Sequence, residues 1–340
     1  MNALRPIEIV GGGLAGLALG LALRRSGIDV TIHEAGAYPR HRVCGEFIAG
    51  LPARTRERLG LGPLLADAVE NHTVAWFSHD TLSRIQKLPT PALGLSRHTL
   101  DARLADAFVA AGGTLRTHTR FTDTLDVPGR VFATGRRRAD TPWLGLKLHA
   151  LDLPLTRDLE LHLGDHAYLG LAQIEHRRVN ICGLFQRRSL RATGPDLLLA
   201  YTRAAGLHSL AERLNRATLD ASSFSAVAAV DFDPSVPQTS EVRIGDACAM
   251  IAPFTGNGMA MAFQSAELAL DPLLTYARGS ASWPDTRHTI HLSLRRRFRL
   301  RLASARALHP FLLRPTHQRC LALLNRIRLL PLRPLYAALH

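Results

Sequence analysis

Lysine is nearly absent from this chain: Lys87 and Lys147 are the only two among 42 basic residues. Cysteine is sparse as well. Cys44, Cys182, Cys248 and Cys320 lie far apart and form no C-x-x-C pair, which argues against a metal knuckle, a redox dithiol and a disulfide-stapled small fold, and points to a reducing, cytoplasmic setting. No apolar run reaches the roughly 18 to 20 residues a membrane span needs. The longest uncharged one, Ile9 to Leu23, is loaded with glycine and has Arg24 and Arg25 behind it, whereas export signals carry their charge in front. Acidic residues stop at Asp285, after which come twelve arginines. The net charge of +14 is therefore local: residues 1–285 carry 30 basic against 28 acidic groups, a balance of +2. That body is an ordinary soluble surface, and with arginine replacing lysine throughout, the excess does not by itself mark a nucleic-acid binder.

What is present suffices for one large or two modest domains: 340 residues, 46% of them hydrophobic, enough for a sizeable core. The opening reads as strand, glycine turn, helix, strand: Ile7 to Val10, Gly11 to Gly16, Ala15 to Ser26, Asp29 to His33, a βαβ unit. Residues Thr73 to Leu95 hold short strand-like runs interrupted by Pro89 and Pro91. A helix is predicted over Arg97 to Ala111, ended by Gly112-Gly113. Short β segments follow around Leu115, Phe121 and Val131, and the alternating pattern from Leu144 to Phe185 predicts an antiparallel sheet. Helical segments are expected over 196–217, a strand pair near Ser225 to Phe232 and Val242 to Gly245, and a helix over Gly258 to Leu270 before a basic helical tail.

The sharpest motif is Gly11-Gly12-Gly13-Leu14-Ala15-Gly16, a G-x-G-x-x-G directly after a strand and opening a helix. Gly11 permits the tight turn, Gly13 lets a pyrophosphate approach the backbone, and Gly16 allows helix and strand to pack closely, with Ala15 at the helix N-terminus. Glu34 ends the second strand 18 residues after Gly16, where a carboxylate can accept both ribose hydroxyls of an adenosine. This fingerprint serves NAD and FAD alike. A second motif separates them. Arg243-Ile244-Gly245-Asp246-Ala247 ends a strand in Gly-Asp and is followed by Ala252-Pro253-Phe254-Thr255-Gly256-Asn257-Gly258 and a helix.

This pair resembles the FAD-dependent oxidoreductases of the glutathione-reductase-2 group, which includes aromatic hydroxylases and geranylgeranyl reductases. The resemblance implies that Asp246 binds the ribityl chain and that Gly256, Asn257 and Gly258 turn a helix N-terminus toward the flavin, where its partial positive charge favours the reduced anion. Val43-Cys44-Gly45-Glu46-Phe47 looks like the C-G-E segment of the geranylgeranyl reductase-like branch, with Arg42 near the cofactor phosphates. Ser96-Arg97-His98-Thr99-Leu100-Asp101 resembles the R-x-x-L-D start of the helix along the FAD, which brings in Arg97. Val131-Phe132-Ala133-Thr134-Gly135-Arg136 stands where the group has G-A-D-G, with Thr134 in place of the Asp. The likeness spans about residues 5 to 270.

The expected fold is α/β: a Rossmann-like FAD-binding domain made of residues 1–70, 96–140 and 241–285, an inserted antiparallel-sheet substrate domain of residues 71–95 and 141–240, and a helical tail, 286–340. The expected cofactor is noncovalent FAD, with NADH or NADPH as a transient electron donor and no metal. Cys44 and Glu46 are the catalytic candidates by position. His149, His162 and His166 read as surface or packing residues. The substrate implied by the resemblance is an apolar small molecule of isoprenoid or polyketide type, undergoing C=C reduction or dehydrogenation. A monooxygenase is the alternative among enzymes, and a basic membrane-surface or nucleic-acid-binding protein with a vestigial nucleotide fold is the alternative of another class. No second G-x-G-x-x-G and no W-x-W-x-I-P appear in the sequence, so a separate pyridine-nucleotide domain and halogenation are not expected. The tail is expected to touch an anionic inner-membrane surface peripherally, through arginines beside an apolar arc of Leu294, Phe298, Leu302 and Ala305; the competing expectation is a solvated cap on the FAD domain. No nucleic acid is expected as a partner.

Overall fold

A computed structural model describes residues 4–122, 127–136, 140–228, 241–251, 253–313, 316–318 and 324. In chain order the elements are β1 (Ile7–Val10), α1 (Leu14–Arg25), β2 (Val30–His33), β3 (Phe47–Ile48), α2 (Ala53–Arg58), β4 (Val69–Ser78), β5 (Thr81–Gly94), α3 (Arg97–Ala110), β6 (Thr114–Arg116) and β7 (Arg130–Phe132). There follow β8 (Trp143–Leu151), β9 (Leu159–Gly164), β10 (Ala167–Ile174), β11 (Arg178–Gln186), α4 (Gly194–Ala204), α5 (His208–Asn215), β12 (Thr218–Ala228), β13 (Val242–Arg243), α6 (Gly258–Ala277) and α7 (Trp283–Leu313).

Two sheets organise the molecule. The parallel sheet has the order β13-β7-β1-β2-β6 and is the Rossmann-like core. On it, α1 is apolar nearly all round, buried from Leu14 to Leu23 against α3 and α6, because it is sandwiched rather than laid on a surface. Gly20 is what lets it sink: a Cβ there would stand 2.7 Å from Ile32 and 3.0 Å from Phe108. The larger sheet has the order β12-β8-β11-β10-β9-β4-β5-β3. Alternation along its strands sends Leu146, Leu148, Leu169, Leu171, Val179 and Ile181 to one face, covered by α4 and α5. The opposite face carries Trp143, Leu161, Leu163, Tyr168 and Leu184 and looks toward the Rossmann domain, where Met250, Phe254 and the end of α7 meet it.

The structure departs from the sequence expectations in several places. The expected strand pair near Ser225 and Val242 does not form: β12 pairs with β8 in the large sheet and β13 with β7 in the parallel one. Phe232, its far end, lies outside the described residues. The large sheet is not wholly antiparallel. β4 and β9 run parallel, Val74 opposite Leu159, because the chain passes through the other sheet between them and returns in the same sense. β4 and β5 are long strands despite Pro89 and Pro91, which sit in a register shift between the Asn71–Ala92 and Thr73–Lys87 pairs, where no ladder N–H is required. Phe121 is in no strand; its ring lies 5.1 Å from His33 and under the Arg130 guanidinium. The 196–217 segment breaks into α4 and α5 at Gly206, whose φ of +75° ends the first helix. β3, within the span assigned to the FAD domain, is hydrogen-bonded into the large sheet through β5.

The tail arc is a further correction. Leu294, Phe298, Leu302 and Ala305 are buried in the same core as α1 and α6, and Arg301 is buried with them, donating to Gln264 Oε1 at 2.8 Å. The helix is therefore packed, on the Rossmann core from Leu294 to Ala305 and on the large sheet at Leu312 and Leu313, and its outer face is a different set of residues. Residues 314, 315, 319–323 and 325–340 of the tail lie outside the described region.

Candidate cofactor and active site

The glycine turn behaves as its spacing requires. Gly11 has φ +111°, and a Cβ there would collide with the Ala133 carbonyl; one at Gly16 would collide with the Gly11 carbonyl. At Gly13 a Cβ would meet nothing within 4 Å, so this side of the turn opens onto free space where a pyrophosphate fits. Gly13 is also the N-cap of α1, without a side-chain cap, which leaves the first N–H groups of the helix for an anion.

Glu34 closes the same site. Its buried carboxylate accepts the backbone N–H groups of Gly12 and Gly36, each at 2.9 Å, and pairs with Arg40 at 2.7 Å; Arg42 stands 3.8 Å away. Burial opposes its charge, but the Gly36 N–H, Arg40, Arg42 and the Gly12 N–H outweigh that and hold its pKa below the ordinary glutamate value. The Tyr38 hydroxyl donates to the Gly12 carbonyl, placing a ring beside the ribose position. Arg42 also donates to Asp101 at 3.2 Å, and Asp101 takes both Nε (2.7 Å) and Nη2 (2.8 Å) of Arg97. The start of α3 is fixed by its cap: Ser96 Oγ accepts the Thr99 N–H, and Glu175, from the turn before β11, accepts the Ser96 N–H at 2.8 Å. Arg97 is thus a wall of the cleft with its fork committed to Asp101.

The distal motif arrives at the same cleft. Gly245 (φ +59°) packs on Ala15, where a Cβ would come within 3.0 Å, and its N–H donates to Ser265 on α6. Asp246 is exposed on the cleft wall yet ringed by protein, which pushes its pKa up against the pull of Arg97, Arg136 and Arg42. The Gly256-Asn257-Gly258 turn lies against the C-G-E segment: Ala49 N–H donates to the Gly256 carbonyl at 3.3 Å, and a Cβ on Gly256 (φ +68°) would stand 2.7 Å from Phe47. Contacts link the cofactor-binding positions expected from sequence, Gly245 to Ala15, Arg42 to Glu34 and Asp101, Arg97 to Asp101 and Gly256 to Phe47, and the chemistry of these residues fits FAD. The glycine turn and Glu34 would hold its adenosine and pyrophosphate, and Asp246 and the α6 N-terminus its flavin half.

Of the two catalytic candidates, Cys44 lies beside Arg97 and accepts the Glu46 N–H at 3.4 Å. Its thiol is pushed up in pKa by burial, with Arg97 opposing, and so stays protonated at neutral pH. Gly45 beside it is exposed, with nothing within 4 Å of a built Cβ. Glu46 points the other way. It is fully buried at φ +51°, and its carboxylate accepts the Arg97 N–H at 3.0 Å, faces Lys147 Nζ at 3.4 Å and bonds His149 Nε2 at 2.6 Å. One carboxylate therefore joins the C-G-E segment to α3 and β8.

Lys147 and His149 are the residues that sequence reasoning missed. They are two apart on β8, on the face toward the Rossmann domain, opposite Cys182 and Asn180 of β11. Both are fully buried. Lys147 Nζ also lies 3.1 Å from His41 Nδ1, and His41 stacks on His98 at 4.4 Å. Burial lowers the Lys147 pKa against the attraction of Glu46, and burial with the Lys147 charge takes His41 to about 4. Asn180 ties this strand to the segment as well, donating to the Cys44 carbonyl at 3.0 Å. His162 is buried on the other face, paired with Glu160 at 2.9 Å, beside Arg213. His149 had one available signal, the Gly145-Lys147-His149 alternation, but polar residues alternating along a strand ordinarily face water.

The NAD(P)-binding Rossmann-like domain family matches residues 9–54. A menaquinone reductase from Mycolicibacterium smegmatis is 27% identical over 138 residues, which is 39% of this chain and 34% of that protein; the match spans about a third of the relative's length. Among solved structures, p-nitrophenol 4-monooxygenase PnpA from Pseudomonas putida superposes with a TM-score of 0.76 at 14% identity, over 100% of this chain and 97% of that one. Klebsiella pneumoniae HpxO, complexed with FAD and uric acid, gives 0.75 at 15% identity over 94% and 92%. The chain has the fold of an FAD-dependent oxidoreductase.

Proposed function

We propose that the chain is an FAD-dependent oxidoreductase that reduces or dehydrogenates an apolar small molecule, bound between the cleft and the inner face of the large sheet. What supports this reading is the contact network that joins the glycine turn, Glu34, Arg42, Arg97 and the Gly245–Asp246 turn, with the Gly256–Gly258 turn against Phe47 of the C-G-E segment. Bound FAD supplies two-electron chemistry there, and the chain supplies position and surroundings. Leu161, Leu163, Leu184 and Tyr168 make the sheet face apolar. Among them Gly170 is open, since a Cβ would meet only the Cys182 carbonyl at 4.0 Å. That gap suits a slender apolar body, and a menaquinone reductase among the relatives supports an isoprenoid-bearing one. NADH or NADPH serves as the transient donor.

A second reading, a flavin monooxygenase, is favoured by the whole-chain likeness to PnpA. Anaerobic reduction of the flavin-loaded protein with NADH or NADPH, followed by rapid mixing with isoprenoid quinones or with dioxygen, separates the two. Reoxidation by an organic acceptor without oxygen supports the reductase. Reoxidation only by dioxygen, with labelled oxygen in an organic product, supports the monooxygenase. A protein that takes up no FAD overturns both.

A further inference from the structure

With its apolar arc buried, α7 turns a second face outward. Leu292 (54% exposed) and Leu300 (69%) stand on it, about 80° apart around the helix, while Phe311 (38%), beyond Pro310, stacks on His317. Arg295, Arg296, Arg299 and Arg306 are exposed beside them, and among the described residues none has a carboxylate partner. The sequence supplies none nearby, since no Asp or Glu follows Asp285. Large apolar side chains set among cations are the chemistry of an interfacial helix, with the leucines entering the acyl boundary and the guanidinium groups meeting phosphates.

We propose that the outer face of α7, centred on Leu292, Arg296, Arg299 and Leu300, docks the protein on an anionic phospholipid surface. The helix lies in the plane of that surface while its inner face stays packed on α6. Because Arg301 faces inward to Gln264, it belongs to the cap and takes no part. The proposal is independent of the redox chemistry, so flavin content and membrane binding can fail separately.

Flotation of the full chain with vesicles of phosphatidylcholine, alone or mixed with phosphatidylglycerol, at low and high salt, tests it. Binding is expected only to the anionic vesicles and only at low salt. A triple Arg295→Gln, Arg296→Gln, Arg299→Gln variant should lose roughly a hundredfold in partitioning, and Leu292→Ser with Leu300→Ser should also weaken it, both with wild-type flavin content and melting temperature. Absence of flotation at low salt overturns the proposal, as does flotation undiminished in either variant. Tight, salt-sensitive binding to duplex DNA without flotation would assign the face to nucleic acid instead.

Discussion

Replacing Glu46 by Gln tests the buried cluster behind the C-G-E segment. The carboxylate holds the Arg97 N–H at 3.0 Å and His149 at 2.6 Å, and it is the counter-charge 3.4 Å from Lys147. Gln keeps the shape and one acceptor but leaves Lys147 buried without its anion. Removing one partner of a buried ion pair costs about 3–5 kcal/mol, much of it the desolvation of the charge left behind. The same reasoning fixes a pH dependence. Burial already lowers the Lys147 pKa from 10.5, and without Glu46 it falls further. Between that lowered pKa and about 10.5 the unfolded chain then binds more protons than the folded one, so stability climbs with pH across the window. Urea denaturation followed by tryptophan fluorescence should show the deficit at neutral pH shrinking toward pH ~10, and Glu46→Gln combined with Lys147→Met should recover most of it. A deficit under about 1 kcal/mol, or one that does not change with pH, would refute the buried pair.

The cofactor residues give further expectations. Gly13→Val should abolish FAD retention by filling the open side of the turn, while Glu34→Ala and Asp246→Ala should lower it; flavin released on denaturation measures all three, and normal occupancy in Gly13→Val would be incompatible with a pyrophosphate at that turn. Cys44→Ser should reduce turnover more than flavin content, since a serine hydroxyl can still accept the Glu46 N–H that Cys44 Sγ accepts at 3.4 Å while the thiol beside Arg97 is lost; unchanged kinetics would leave it a packing residue. Burial takes the His309 pKa from 6.5 to about 4, so its share of stability, full above about pH 6.5, is lost as pH falls through 4, up to about 3 kcal/mol. His309→Phe should flatten the acid limb of the stability profile, and an unchanged limb would place the acid sensitivity elsewhere.

The βαβ opening was legible because backbone sterics dictate it: Gly11 and Gly16 cannot carry a Cβ there, and β1 runs over Ile7–Val10 as read. The second flavin motif was legible for the same reason. Long-range pairing was not. Nothing local says that Val242 joins β7 rather than the strand before it, since a two-residue strand is defined only by its neighbour. On α7, Leu294 and Leu300 look alike as letters; the packing of α6 decides which is core. The Glu46–Lys147–His149 cluster was hidden by the usual rule for alternating strands, which fails where a polar strand face is covered by a second domain and meets a buried carboxylate there.

The visible absorbance spectrum of the purified protein, taken before and after incubation with FAD and gel filtration, tests the central claim most directly. The account predicts the two bands of oxidised flavin at about one FAD per chain, bleached by anaerobic NADH or NADPH and absent from Gly13→Val. A wild-type protein that is colourless and stays so after reconstitution would contradict it.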